Sequence, residues 1–198
     1  MNSRDLTFSA IKGIPEKSLS LADLAKALSH FAIEPPIVGR GTARETDRSL
    51  IFSVQAADIE VDPETGKVKV LSYAAAQDAG RAINPDAVEG QVQGAVAQGI
   101  GWALSENSVL DNGIMQNTNL LDYRMSTAVD VPFVDVLLVE VPHSTSPFGL
   151  RGVGEPPLVP TLAAIANAIH SASGVRLKEL PMNPETVFRA INNHRTTG

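Results

Sequence analysis

Cysteine is absent from the chain. Without thiols there is no disulfide, no zinc–thiolate site and no iron–sulfur cluster on this polypeptide, so any redox relay must sit on another chain. Aromatic residues are scarce, at 5% of the 198 positions. Small residues must fill much of the interior, which favours close backbone packing. Basic charge is also short: 16 Lys and Arg against 22 Asp and Glu leave a net charge of −6. A nucleic-acid partner is therefore not expected, because neutralising phosphates takes clustered cations. His30, His143, His170 and His194 are scattered without ligand-like spacing, so they read as ordinary surface or core residues and no metal-binding set is expected. No apolar run approaches the roughly 20 residues that span a bilayer. The opening MNSRDLTFSAIKG holds no apolar signal core. A soluble, cytoplasmic protein is the expectation, unless a partner bearing an export signal carries it.

What is present is globular in composition, 43% apolar and 19% charged, and long enough to bury a core without staples. Leu21, Leu24, Ala25 and Leu28 fall at helical spacing behind a capping-box-like Ser20, so the pattern predicts a short helix over 21–31. Residues 34–48, with Pro35, Pro36, Gly39 and Gly41, read as an exposed connection. Residues 1–49 are expected to be this N-terminal helix and connection, part of the same unit as a main domain over 50–198. Leu50 to Val61, the turn Asp62-Pro63-Glu64-Thr65-Gly66 and Lys67 to Tyr73 predict a β-hairpin. Asn84-Pro85 reads as an N-cap with proline at the first helical position, opening a helix to about Glu106. Asp111-Asn112-Gly113 is a turn, and the apolar run Val134 to Val141 is expected as a buried strand. A Gly/Pro-rich loop over 144–160 precedes a helix over 161–172 and a short helix near 185–192. The mixture is α+β.

Two constellations stand out. From Glu89 the chain reads EGQVQGAVAQGIGWAL. On a helix, Gln91, Gly94, Gln98 and Gly101 share one face beside an apolar stripe of Val88, Val92, Val96 and Ile100. A helix glycine costs about 1 kcal/mol against alanine, so Gly90, Gly94, Gly99 and Gly101 together cost ~4 kcal/mol. Such a cost implies close approach by another body. That body is either a second helix with the glutamines at its rim, or a ligand rich in donors and acceptors, such as a pterin, to which glutamine amides are suited. A dinucleotide fingerprint fits poorly, since the third glycine is missing and no strand leads in.

The second constellation is Gly149-Leu150-Arg151-Gly152-Val153-Gly154-Glu155-Pro156-Pro157-Leu158. Gly152 and Gly154 admit backbone shapes closed to other residues. Pro156 is expected to hold Glu155 extended, and apolar Val153, Leu158 and Val159 predict partial burial, which would raise the carboxyl's pKa toward that of a useful base. The alternative is an exposed turn glutamate whose glycines and prolines merely shape the loop. Asp78, Asp122 and Glu140 sit in less constrained contexts and read as surface charges or caps.

Together these residues resemble the C-terminal, molybdopterin-binding portion of the molybdenum hydroxylase large subunit, the xanthine dehydrogenase and aldehyde oxidase family. Gly90 to Gly101 and Gly152 to Leu158 carry the resemblance, in that order, with 54 positions between Gln98 and Gly152. Asp78 to Pro85 and Leu121 to Met125 are similar to the family's connecting segments, and the likeness covers nearly the whole chain. It implies an oxidoreductase that hydroxylates an aldehyde or N-heterocycle with oxygen from water. The cofactor is a molybdenum–molybdopterin, as the plain pterin or its cytosine dinucleotide. Glu155 is then the catalytic base, taking a proton from the hydroxyl on the metal. Gln91, Gln98, Gly94, Val153 and Gly154 line the cofactor, and no residue of this chain ligates the metal. Iron–sulfur clusters and FAD lie on partner chains, an iron–sulfur subunit and a flavin subunit, beside the remainder of the large subunit.

The sequence departs from the pattern at Ser126, where many relatives carry proline, and at Arg151, where many carry lysine or another residue. The larger departure is length. The family's large subunit is several times longer, so the resemblance implies a separately encoded subunit of a split enzyme, a shortened form or a remnant. It is expected to be inactive alone. The rival reading is a non-catalytic remnant or interaction subunit that retains the fold.

Overall fold

The computed structural model describes residues 7–9, 18–20, 26, 39–42 and 50–197. The chain forms two compact units, Met1–Arg44 and Glu45–Gly198. In the first, β1 (Thr7–Ser9) and β2 (Ser18–Ser20) pair antiparallel. The helix expected over 21–31 lies outside the described residues except for Lys26, which is helical. So does the connection over 34–48, apart from the exposed residues 39–42.

The second unit is built on a three-stranded sheet in the order β3-β4-β7. The predicted hairpin forms from β3 (Ser53–Val61) and β4 (Val68–Asp78), antiparallel, with a bulge at Asp58/Ile59. Its turn closes because Asp62 Oδ1 accepts from the Glu64 N–H at 2.9 Å and Oδ2 from the Thr65 hydroxyl at 2.6 Å. Gly66 completes it at φ 72. The second strand runs five residues past Tyr73, and this extension pairs in parallel with β7 (Val134–Val139). Such a parallel pair requires a crossover, supplied by α1 (Pro85–Leu104). Asn84 caps that helix as expected, its side chain accepting from the Ala87 N–H at 3.2 Å, with Pro85 where no donor is needed. Asp111-Asn112-Gly113 is the tip of a small hairpin of β5 (Leu110–Asp111) and β6 (Ile114–Met115), with Asn112 at φ 47 and Gly113 at φ 80, the handedness a two-residue hairpin turn favours.

Helices α2 (Val159–Ser173) and α3 (Pro184–Thr197) complete the unit. The last helix is longer than the sequence pattern predicts. Three of the four residues of the expected stripe on α1, Val92, Val96 and Ile100, are buried with Val70, Tyr73, Val134, Ile165, Ile169, Met182, Val187 and Ile191 in one core, whereas Val88 is only half-buried. α1 and α2 cover only one face of the sheet. This corrects the expectation of a buried β7. Val134 is buried, but Leu137 is 64% exposed and Val139 40%, because the strand alternates and no described element covers its outer side. Val54, Ala56 and Ala74 extend that bare apolar surface across the other strands. Among the described residues no helix is long and apolar enough to cross a membrane.

The glycines of α1 fall into two kinds. A Cβ on Gly99 would lie 2.5 Å from Thr161 Cβ on α2, whereas one on Gly90 or Gly94 would meet nothing within 4 Å. Gly99→Ala should therefore destabilise by about 1–3 kcal/mol through overpacking. Gly94→Ala should stabilise by up to ~1 kcal/mol through helix propensity. Urea unfolding of the two variants checks this; shifts of the same sign would mean that the helix–helix contact is misassigned.

Candidate functional site

Gln91, Gly94 and Gln98 lie together on an exposed face of α1, as their spacing predicts. Gly101 does not join them. It is buried beneath the Glu106 carboxylate, because the chain turns back after the helix and both the Ser105 and Glu106 N–H groups donate to Gly101 O, at 2.9 and 2.8 Å. Tyr123 OH holds Glu106 in place at 2.7 Å. The glycines divide between the packed and the open sides of the helix. Gly99 serves helix packing, and Gly90 and Gly94 leave backbone bare.

The loop of the second constellation runs beside the start of α1. Ala87, Val88 and Gln91 of the helix and Leu150, Arg151 and Val153 of the loop line one shallow pocket of about 210 Å³. Gln91 and Val153, 62 positions apart in sequence, are brought together here. Gly154 and Glu155 follow on the exposed part of the loop. Neither Gly152 nor Gly154 takes a positive φ; the left-handed positions are Phe148 at φ 58 and Gly149 at φ 75.

Two expectations about Glu155 are corrected. It is not extended but helical, at φ −93 and ψ −33. Its carbonyl accepts the Leu158 N–H at 3.0 Å, closing a tight turn, Pro156–Leu158, that leads straight into α2. That hydrogen bond outweighs the usual bias against helical backbone before proline. Nor is it partly buried. Val159 is 74% exposed and offers no cover, and among the described residues the Glu155 carboxylate has no hydrogen-bonding or ionic partner.

The loop is tied at both ends, by Gln55, which nothing in the sequence marks, and by the Asp78–Arg151 pair. On the far side, Gln55 Nε2 donates to Pro157 O at 2.5 Å, and Gln55 Oε1 accepts from Tyr73 OH at 2.7 Å and from the Thr161 hydroxyl at 2.9 Å. Burial pushes the Tyr73 phenol up to about 12, against the partial opposition of Thr161. On the near side, Arg151 Nε lies 3.2 Å from Asp78 Oδ2, with both side chains largely buried. Asp78, read as a surface charge or cap, is an internal ion-pair partner instead. Strand spacing alone does not reveal this, because Asp78 is the last residue of β4 and nothing local in sequence marks its partner. Asp122 accepts from Asn119 within a turn, and Glu140 accepts the Ala82 N–H from 58 positions away, both as exposed contacts.

The pattern of the molybdopterin cofactor-binding domain matches residues 1–132. The xanthine dehydrogenase molybdenum-binding subunit of Escherichia coli O157:H7 is 36% identical over 182 residues, covering 90% of this chain and 24% of that one. The aldehyde oxidoreductase of Megalodesulfovibrio gigas is 39% identical over 142 residues, covering 71% of this chain and 15% of that protein. The crystal structure of quinoline 2-oxidoreductase from Pseudomonas putida 86 superposes with a TM-score of 0.75 at 32% identity, over 92% of this chain and 24% of that one. The chain therefore spans a quarter or less of the length of these relatives.

The raised ionisation of Tyr73 gives a pH signature. A neutral phenol is favoured in the fold, so the stability it contributes is whole below pH 10.0 and is lost as pH rises toward about 12. Tyr73→Phe should flatten the fall in urea midpoint across that window, while lowering stability slightly at pH 8 through the lost bond to Gln55. An unchanged alkaline slope would place the phenol outside the buried network.

Proposed function

The chain belongs to the molybdopterin cofactor-binding domain family of molybdenum hydroxylase large subunits, and from that premise we propose that it supplies one wall of the cofactor site and the general base of such an enzyme. The carrying observation is the shared pocket of Gln91 and Val153, which sets the bare amide–glycine face of α1 beside the Glu155 loop.

The residues present fit the group. A pterin offers mixed donors and acceptors along a flat edge, and glutamine amides answer both kinds. Gly90 and Gly94 leave the helix backbone open between those amides, with nothing within 4 Å of where a Cβ would stand. When bound, molybdopterin supplies the redox centre and the site at which water-derived oxygen is activated. Gln91 and Gln98 would hold it by hydrogen bonds, with Val153 and Gly154 of the neighbouring loop beside them. Glu155, exposed and without a partner among the described residues, accepts a proton at a carboxylate oxygen and later returns it to solvent. In the complete enzyme, cover from the rest of the large subunit would exclude bulk water from it.

The substrate class is an aldehyde or an N-heterocycle; the names of the aldehyde oxidoreductase and quinoline 2-oxidoreductase relatives support both arms. The remainder of the large subunit is the first partner. The bare apolar face of the sheet and the chain's small share of its relatives' length support this. Iron–sulfur and flavin subunits carry the electrons onward, since a chain without cysteine holds no cluster. The assembly works in the cytoplasm.

Glu155→Gln keeps size and hydrogen bonding but cannot take the proton. In the assembled enzyme it should slow cofactor reduction by substrate roughly 10²–10⁴-fold, with molybdenum content unchanged. Rapid-mixing kinetics at equal molybdenum loading measure this, and a variant reduced at the wild-type rate would remove Glu155 from the mechanism.

A further inference from the structure

We infer that Arg151 is a positioning residue for Glu155, acting through its buried pair with Asp78; the inference rests on the reading of Glu155 as the base. Only Gly152, Val153 and Gly154 separate the two residues. Those glycines bring little packing: a Cβ on Gly154 would meet nothing, and one on Gly152 only Ile51 Cδ1 at 3.7 Å. Within the segment only Val153 is half-buried, lining the pocket with Gln91, so the place of the carboxylate depends largely on the anchors at either end. The Pro157 end is held by Gln55. The other end is Arg151.

Arg151 ties its own loop to three other stretches among the described residues. Its N–H donates to Ala79 O at 3.2 Å, Nε is shared between Asp78 Oδ2 at 3.2 Å and Val141 O at 3.1 Å, and Nη1 donates to Leu50 O at 2.7 Å. Asp78 is itself aimed, since Oδ1 accepts the Gly80 N–H at 3.0 Å. Gly80 must be glycine: its φ is 63, and a Cβ would overlap Gly149 O. Arg81 N–H and His143 N–H both donate to that same oxygen, at 3.0 and 3.1 Å. The side chains of Arg151 and Asp78 are 12% and 8% exposed. A pair this buried gains little net stability over an apolar replacement. What it fixes is direction, because the guanidinium is a rigid fork that a lysine ammonium does not reproduce.

The test uses the assembled enzyme carrying Arg151→Met, Arg151→Lys or Asp78→Asn, with Glu155→Gln alongside. Amide hydrogen exchange without substrate reads the loop directly. Exchange at 152–155 should be several-fold faster in Arg151→Met and Asp78→Asn, while residues 92–103 of α1 stay protected. The limiting rate of cofactor reduction should fall roughly 10–100-fold, as for a displaced catalytic group, with the substrate concentration for half-saturation little changed. Arg151→Lys should fall between. Wild-type exchange and rate in Arg151→Met, beside a slow Glu155→Gln, would overturn the positioning role while sparing the base. A fast Glu155→Gln would overturn both. If Arg151→Met also unprotects α1, Arg151→Lys decides: loosening confined to the loop, with a lower limiting rate, supports the role, and wild-type behaviour in both overturns it.

Discussion

The Gln55 side-chain amide ties together parts of the fold that no single element could hold. From β3 it accepts the hydroxyls of Tyr73 on β4 and Thr161 on α2, and it donates to Pro157 in the turn between Glu155 and α2. Tyr73, Pro157 and Thr161 are buried, where an unpaired polar atom costs about 1–3 kcal/mol, so each contact favours the fold. Thr161 reaches Gln55 while packed against α1, which is possible only because position 99 is glycine. The sheet, both covering helices and one end of the loop are thereby fixed to one another. The second fixed point is the Asp78–Arg151 pair, at the other end of the same loop. Between the two, Gly152 to Glu155 is bare chain on a rigid frame. That is a sound way to present a carboxylate: the scaffold sets its place, and the segment carrying it adds no bulk.

Local chemistry made much of this legible in advance. The hairpin turn announces itself in Asp62-Pro63-Glu64-Thr65-Gly66, and the start of α1 in Asn84-Pro85, because both depend on residues adjacent in sequence. The stripe of Val92, Val96 and Ile100 and the amide face opposite follow from helical period alone. What failed was long-range. Gly101 has the right spacing for the open face but is covered by Glu106, a consequence of where the chain goes after the helix. Asp78 and Arg151 each look unremarkable until the parallel pairing of β4 with β7 brings Val141 and the loop alongside. Glu155 was expected to be extended before Pro156, but a carbonyl able to accept the Leu158 N–H made the helical conformation the better one.

The surface divides into two kinds of incompleteness. One is polar and shaped: Gln91, Gln98 and Glu155 stand exposed around bare glycine backbone. The other is apolar and flat, the outer side of the sheet with Val54, Leu137 and Val139 uncovered. The chain spans a quarter or less of its relatives' length. On the proposed reading a cofactor completes the first surface and the rest of a large subunit the second. On this account the polar surface is spared from packing because a ligand must reach the helix backbone there.

The most direct measurement of that claim is the molybdopterin content of the assembled enzyme with Gly94 replaced by leucine. The fold has room for the side chain, since nothing lies within 4 Å of its first atom. Stability should therefore hold. The cofactor should not: pterin and molybdenum should both fall to a small fraction of the wild-type content in a protein that remains folded and assembled. Full cofactor content with leucine at position 94 would contradict the account, because the open face of α1 would then not be the wall against which the cofactor rests.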